Sequence, residues 1–291
     1  MHSGKLRYFP NRLESILIIN FIVRIVMAFT NQKSIFNIIN IVKFFLNRKY
    51  TTTILKKIYS KFFDPKPKLN NKENLDQIEK NKISSEEFIK KINPELFEIV
   101  NKETDQIILD AEKIQEKNSN IELGNNYAVE ILYFLVINFK PNIVLETGVA
   151  AGLSSKCILE AMEKNNKGKL YSSDFPYFRL NNPERNIGIM VPERLKKNWR
   201  LEILGDDKNI IKFKSEIDYA DIILYDSDKR YIGKINFFNA IKNLIKSNSI
   251  IIVDDLHNDS FFLEFVEKKK CKNWFIVESK RKHIVGIILP N

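Results

Sequence analysis

The sequence predicts a mixed α/β fold, a doubly wound sheet of seven strands with the last antiparallel, carried behind an N-terminal helical extension. Three observations lead there. From residue 125 onward, short runs rich in Ile, Val and Leu alternate with helical-period segments, the signature of parallel strands joined by crossover helices. The last two such runs, "WFIVES" and "HIVGIIL", are joined only by the short basic turn Lys280 to Lys282, too tight for a parallel crossover. Finally, the first quarter of the chain differs from the rest in both charge and pattern.

The chain has 291 residues and a net charge of +11. Residues 1–68 hold 13 Lys or Arg against only Glu14 and Asp64, so the excess belongs to this segment and the remainder is balanced. The stretches "LESILIINFIVRIVMAFT" and "SIFNIINIVKFFLNRKY" place Asn20, Arg24 and Asn31, then Asn37, Asn40, Lys43 and Asn47, along one side of apolar helices. Arg24, in the middle of the first run, disfavours a membrane span, at a cost of roughly 2.5–3.5 kcal/mol. The expectation for residues 1–63 is a basic amphipathic extension, lying on an anionic membrane surface or packing on the rest of the protein. Nucleic acid is not expected, because no binding motif accompanies the charge. A polar linker is expected over 64–84, "DPKPKLNNKENLDQIEKNKISS".

A domain spanning 85–291 follows. "SSEEFIKKI" reads as a capped helix start at Ser84 or Ser85, and "PELFEIVNKETDQIILDAEKIQEK" as a helix entered through Pro94. Next come the helix "NNYAVEILYFLVINFK", the strand "NIVLET", the helix "GLSSKCILEAMEKN" and the strand "KLYSSD". The strands "WRLEIL", "ADIILYD" and "SIIIVDD" continue the pattern, with helices to Ile217, in "IGKINFFNAIKNLIK" and in "SFFLEFVEKKK". Cys157 and Cys271 are far apart and have no zinc-like spacing. A reducing location follows, the cytoplasm or the inner face of the cytoplasmic membrane.

In such a sheet ligands bind beyond the carboxyl ends of the strands, and that is where the informative residues gather. "IVLETGVAAGLSSK" places Gly148 and Gly152 at a strand-to-helix turn, although the chain has only nine glycines. No Gly-Lys-Ser/Thr follows, which excludes a P-loop, and Ala150 stands where G-x-G-x-x-G requires glycine, which counts against a nicotinamide oxidoreductase. The E-x-G-x-x-x-G pattern of Glu146, Gly148 and Gly152 resembles motif I of the class I S-adenosylmethionine-dependent methyltransferases, and with it the Rossmann-like sheet of that family. The likeness extends over roughly residues 120–291. It implies that Glu146, Gly148, Gly152 and Ser154 surround S-adenosylmethionine, that Asp174 of "YSSDFP" meets the ribose, and that Asp206 of "ILGDD" lies near the adenine.

Asp226 ends one predicted strand and Asp254 and Asp255 another, so three carboxylates share a rim. Hard oxygen ligands at that density suit Mg²⁺ or a similar cation. "DSDKRY...IIIVDD" resembles the metal-dependent O-methyltransferases of sugar and antibiotic pathways and catechol O-methyltransferase. That resemblance implies that Asp226, Asp254 and Asp255 hold the metal, that Lys229 is the catalytic base with His257 its rival, and that the acceptor is a small-molecule or glycolipid hydroxyl. Sugar-type relatives carry a "DGDHSY"-like motif, so Ser227 and Lys229 depart from it. The alternative reading is a membrane- or partner-binding protein that has lost catalysis. Homo-oligomerisation is left open.

Overall fold

The computed structural model describes residues 47–63, 71–118, 128–177 and 183–291. The two N-terminal amphipathic runs therefore lie outside the described residues, apart from the end of the second. What is described of the extension is helix α1, Arg48–Phe63.

Within the stretch expected as a linker, 64–84, α2 spans Asn71–Asn81, and β1, Lys82–Ser84, pairs in parallel with β7, Trp274–Glu278. The polar composition suggested a linker, but Ile78 is buried under the sheet and Ile83 pairs with Val277. Two apolar side chains suffice because β7 already offers an open edge. This raises the sheet from the expected seven strands to eight.

Ser84 then caps α3, Ser85–Ile92, with the expected reciprocal box. Its hydroxyl accepts from the Glu87 amide at 3.1 Å, and its own amide donates to the Glu87 carboxylate at 2.8 Å. A short 3-10 turn at Pro94–Leu96 leads into α4, Phe97–Lys117, and α5 spans Val129–Phe139.

The remaining strands are β2 (Ile143–Thr147), β3 (Lys169–Ser173), β4 (Trp199–Glu202), β5 (Ile222–Tyr225), β6 (Ile250–Val253) and β8 (Ile284–Ile288). Between them lie α6 (Leu153–Lys164), α7 (Pro183–Asn186), α8 (Asp206–Phe213), α9 (Tyr231–Ala240) and α10 (Phe261–Lys269). The order across the sheet is β1-β7-β8-β6-β5-β2-β3-β4, with β8 antiparallel to both of its neighbours and every other pair parallel.

Alternation within each strand builds a core on either face. Val144, Ile222, Leu224, Ile250 and Ile252 face α5 and α6, whereas Leu145, Ile223, Tyr225, Ile251 and Val253 face α8, α9 and α10. Because β2 neighbours both β3 and β5, the chain reverses direction across the sheet there, and a crevice opens beyond the ends of β2 and β5.

Candidate active site

The turn after β2 is shaped first by backbone crowding. Gly148 has a φ of +82°, and a Cβ there would stand 1.7 Å from the carbonyl oxygen of Asp226, just past the end of β5. Glycine is thus required for two adjacent strand ends to lie this close. Gly152, at φ +92°, plays the same part against Gly188, whose Cα would be 2.8 Å from an added Cβ. Its freedom serves protein packing, and it does not line the cavity described below. Ala150 is left-handed as well, at φ +48°, a conformation that costs a residue with a Cβ about 1–2 kcal/mol.

Asp174 holds that turn in place. One of its carboxylate oxygens accepts from the amides of Val149 at 3.1 Å and Ala150 at 2.7 Å; the other accepts from the Phe175 amide at 2.6 Å. Burial raises the pKa of this carboxyl to about 6, against the pull of the Phe175 and Ala150 amides; Asp206 raises it further and Lys57 lowers it.

Glu146, fully buried, accepts from Ser154 and Ser155 at 2.6 Å and from Ser172 at 2.5 Å. Burial raises its pKa, the three hydroxyls oppose that, and Asp174 adds to it. Glu146 and Ser154, expected beside the cofactor, bond each other beneath the turn, and with Ser155 and Ser172 they tie β2, β3 and α6 together.

Asp206 opens α8, and its two oxygens accept from Ser173 and Ser227 at 2.5 Å each. Asn209, one turn along, was missed by sequence reasoning. Fully buried, it donates to Ser173 at 2.8 Å and to the Asp174 and Glu202 carbonyls at 3.2 and 2.9 Å, while its oxygen accepts from the Leu204 amide at 3.0 Å. It thereby sets the spacing between Asp174 and Asp206. An asparagine in a short helix gave no signal of this role.

These residues border a cavity of about 420 Å³ over the crevice. Gly148, Asp174, Asp206, Asp226 and Asp228 line one side, and Thr53, Lys56 and Lys57 of α1 line another. Two of its acids are paired, Asp207 with Lys56 at 2.7 Å and Asp228 with Arg230.

Asp226, Asp254 and Asp255 converge as expected, each offering an oxygen within 4.8 Å of the others. Burial first, and then the neighbouring Asp254, push the pKa of the Asp226 carboxyl well up. Asp254 is buried too, yet hydrogen bonds from His283 and Asp226 hold its pKa low. Carboxylates packed this closely repel one another, and the all-oxygen donor set fits a hard divalent cation. Asp255 sits in the left-handed region at φ +55°, which turns its carboxylate back toward its neighbours.

The expected bases are arranged differently. His257 is exposed on the turn Leu256–Asn258, apart from the carboxylates. His283, at the start of β8, takes that place, with its Nε2 2.5 Å from Asp254. The antiparallel return of β8 beside β6 brings it there, a pairing that sequence spacing does not reveal. Burial disfavours the charged imidazole, but Asp254 and Asp255 outweigh it and raise its pKa. Lys229 pairs with Asp255 at 3.0 Å, and the same carboxylates raise its pKa despite partial burial.

Residues 145–256 match the methyltransferase domain family. No curated protein sequence matches the chain. Among solved structures, the O-methyltransferase from Bacillus cereus in complex with SAH aligns at 15% identity, covering 62% of this chain and 90% of that one, with a TM-score of 0.49. The O-methyltransferase TomG from Streptomyces achromogenes, in complex with SAM, aligns at 10% identity over 64% and 90% of the two chains, with a TM-score of 0.48. A methyltransferase from Geobacter sulfurreducens aligns at 14% identity over 63% and 88%, with a TM-score of 0.44.

Proposed function

We propose that this chain, whose residues 145–256 match the methyltransferase domain family, transfers a methyl group from S-adenosylmethionine to a hydroxyl oxygen of a sugar-type or glycolipid acceptor, assisted by a divalent cation. The observation that carries this reading is the gathering of the glycine turn, Asp174, Asp206 and the rim carboxylates around one crevice at the reversal of the sheet. The carboxylate of Asp174 retains an acceptor position for ribose hydroxyls, and Asp206 lies one strand further, beside an adenine bound along the cavity.

The sulfonium methyl is already activated, so the protein's work is alignment and charge control at the accepting oxygen. Asp226, Asp254 and Asp255 would hold the cation, which lowers the pKa of a hydroxyl placed on it. His283 orients Asp254 through its hydrogen bond. Lys229, paired with Asp255 at the rim, would be the base: a cation held by Asp255 takes over the carboxylate charge that favours the ammonium, so the lysine in its neutral form could accept the acceptor hydroxyl's proton as the methyl leaves the sulfonium and S-adenosylhomocysteine is formed.

Measuring S-adenosylhomocysteine binding alongside methyl transfer tests this reading. EDTA is expected to suppress transfer while leaving cofactor affinity within about twofold, because the cation serves the acceptor. Full activity in EDTA would remove the cation from the reaction, and absence of S-adenosylhomocysteine binding would overturn the reading.

We further propose that the catalytic unit, placed at 85–291 on the sequence, includes β1, and that residues 1–63 attach it to an anionic bilayer. Among the described residues no helix is long and apolar enough to cross a membrane. The motivation is the localised charge: each Lys or Arg near such a surface contributes about 1 kcal/mol. The full-length protein should float with vesicles rich in anionic lipid, dissociate progressively as salt rises, and ignore neutral vesicles. Equal flotation with both would refute electrostatic attachment.

A further inference from the structure

Helix α1 belongs by sequence to the basic extension, yet it is seated on the two segments that present Asp174 and Asp206. Tyr50, fully buried, meets the ring of Phe175 edge-on at 5.7 Å between centroids, and its hydroxyl donates to Glu184. Ile54 is buried in the same small cluster, against which Leu204 packs. The Thr53 hydroxyl donates to the Leu204 carbonyl at 3.1 Å, and the Lys208 ammonium to the Lys49 carbonyl at 2.9 Å. Gly205 makes room for this approach: a Cβ there would stand 2.7 Å from the Thr53 methyl.

The residues gripped by α1 adjoin the site carboxylates in the chain. Phe175 follows Asp174 and donates its amide to that carboxylate, and Gly205 precedes Asp206. Along the edge of the same contact, α1 borders the cavity through Thr53, Lys56 and Lys57. The Lys57 ammonium lies 5.0 Å from the Phe175 ring centroid, and its charge favours the ionised forms of both Asp174 and Asp206.

We propose that α1 is part of the cofactor site. Docked on Phe175 and Leu204, it walls the adenosine half of the cavity, so that cofactor binding and helix docking reinforce one another, each favouring the other by the same factor. Whatever surface engages the basic extension ahead of α1 then acts on cofactor affinity through this helix. The inference rests on the methyltransferase reading above.

The test uses the full-length protein and S-adenosylhomocysteine. Hydrogen exchange of the amides of residues 50–57 should slow on ligand binding, the reciprocal sign of docking. Ile54→Asp, which places a charge in the α1 contact, should raise the dissociation constant by at least about tenfold. Lys57→Met, at an exposed position that leaves the apolar contact intact, should raise it by about threefold and keeps the test decisive if Ile54→Asp disturbs folding. Unchanged exchange on ligand binding, together with wild-type affinity in Lys57→Met, would overturn the role of α1 while leaving the methyltransferase reading standing. Failure of the wild-type chain to bind S-adenosylhomocysteine would overturn both.

Discussion

Lys234→Met is expected to destabilise the protein by about 3–5 kcal/mol, because it strands a carboxylate that the fold has removed from water. Lys234 and Asp259 pair at 3.1 Å with side chains only 1% and 2% exposed. The ammonium also donates to the Asp255 carbonyl at 3.1 Å, and the other Asp259 oxygen accepts from the Phe261 amide at 2.9 Å, at the start of α10. The pair therefore clamps both ends of the loop from Asp255 to Asp259. Asn74 of α2 clamps it from another side, donating to the Leu256 and Asp259 carbonyls at 3.2 and 3.0 Å. Urea unfolding of the single variant and of Lys234→Met/Asp259→Leu checks the argument. The double variant should recover much of the loss, since no buried charge is left unpaired, yet methyl transfer should stay low in both because Asp255 is no longer held. A single variant within 1 kcal/mol of wild type would mean that water reaches Asp259 and the clamp is dispensable.

The clamp marks where the sequence stopped being legible. Period-two and period-3.6 patterns announce elements whose faces are buried, so the seven longer strands and their helices were readable, as was the rim shared by Asp226, Asp254 and Asp255. Strand β1 was not readable. Three residues carry no period, and their place in the sheet depends on an edge of β7 lying 194 positions away in the chain, as the pairing of Lys82 with Ile276 shows. Long-range pairing also hid His283, which reaches Asp254 only because β8 runs back beside β6. His257, nearer in sequence to the acidic pair, drew attention through proximity alone. Gly148 and Gly152 announced a tight turn correctly, but the pattern could not say that the neighbours demanding glycine are Asp226 and Gly188. Asn74 lay inside a run whose polarity suggested a linker, and composition cannot distinguish a solvated asparagine from one that braces a buried loop.

Cofactor affinity is expected to fall about tenfold between pH 7.5 and pH 5, with Asp174 as the cause. Its folded-state pKa of about 6 lies above the ordinary 3.8, raised chiefly by burial and further by Asp206. The folded chain therefore binds this proton more tightly than the unfolded chain does. For this group alone, stability is greatest below about pH 4 and declines by roughly 3 kcal/mol as the pH climbs through 6, since ionising the buried carboxyl opposes folding. Binding follows the opposite course. On the proposed reading ribose hydroxyls would donate to the ionised carboxylate, so the cofactor would select the charged form and offset part of its cost only above about pH 6. Calorimetry with S-adenosylhomocysteine across this range should show affinity rising with pH to a plateau and proton release on binding near pH 6. Asp174→Asn should flatten the profile in that region and weaken binding at pH 7.5 by about 1.5–3 kcal/mol, the worth of hydrogen bonds to a charged acceptor. A wild-type profile that is flat from pH 5 to 7.5 would mean that the amides of Val149 and Ala150 already occupy this carboxylate fully, and that the cofactor hydroxyls are held elsewhere.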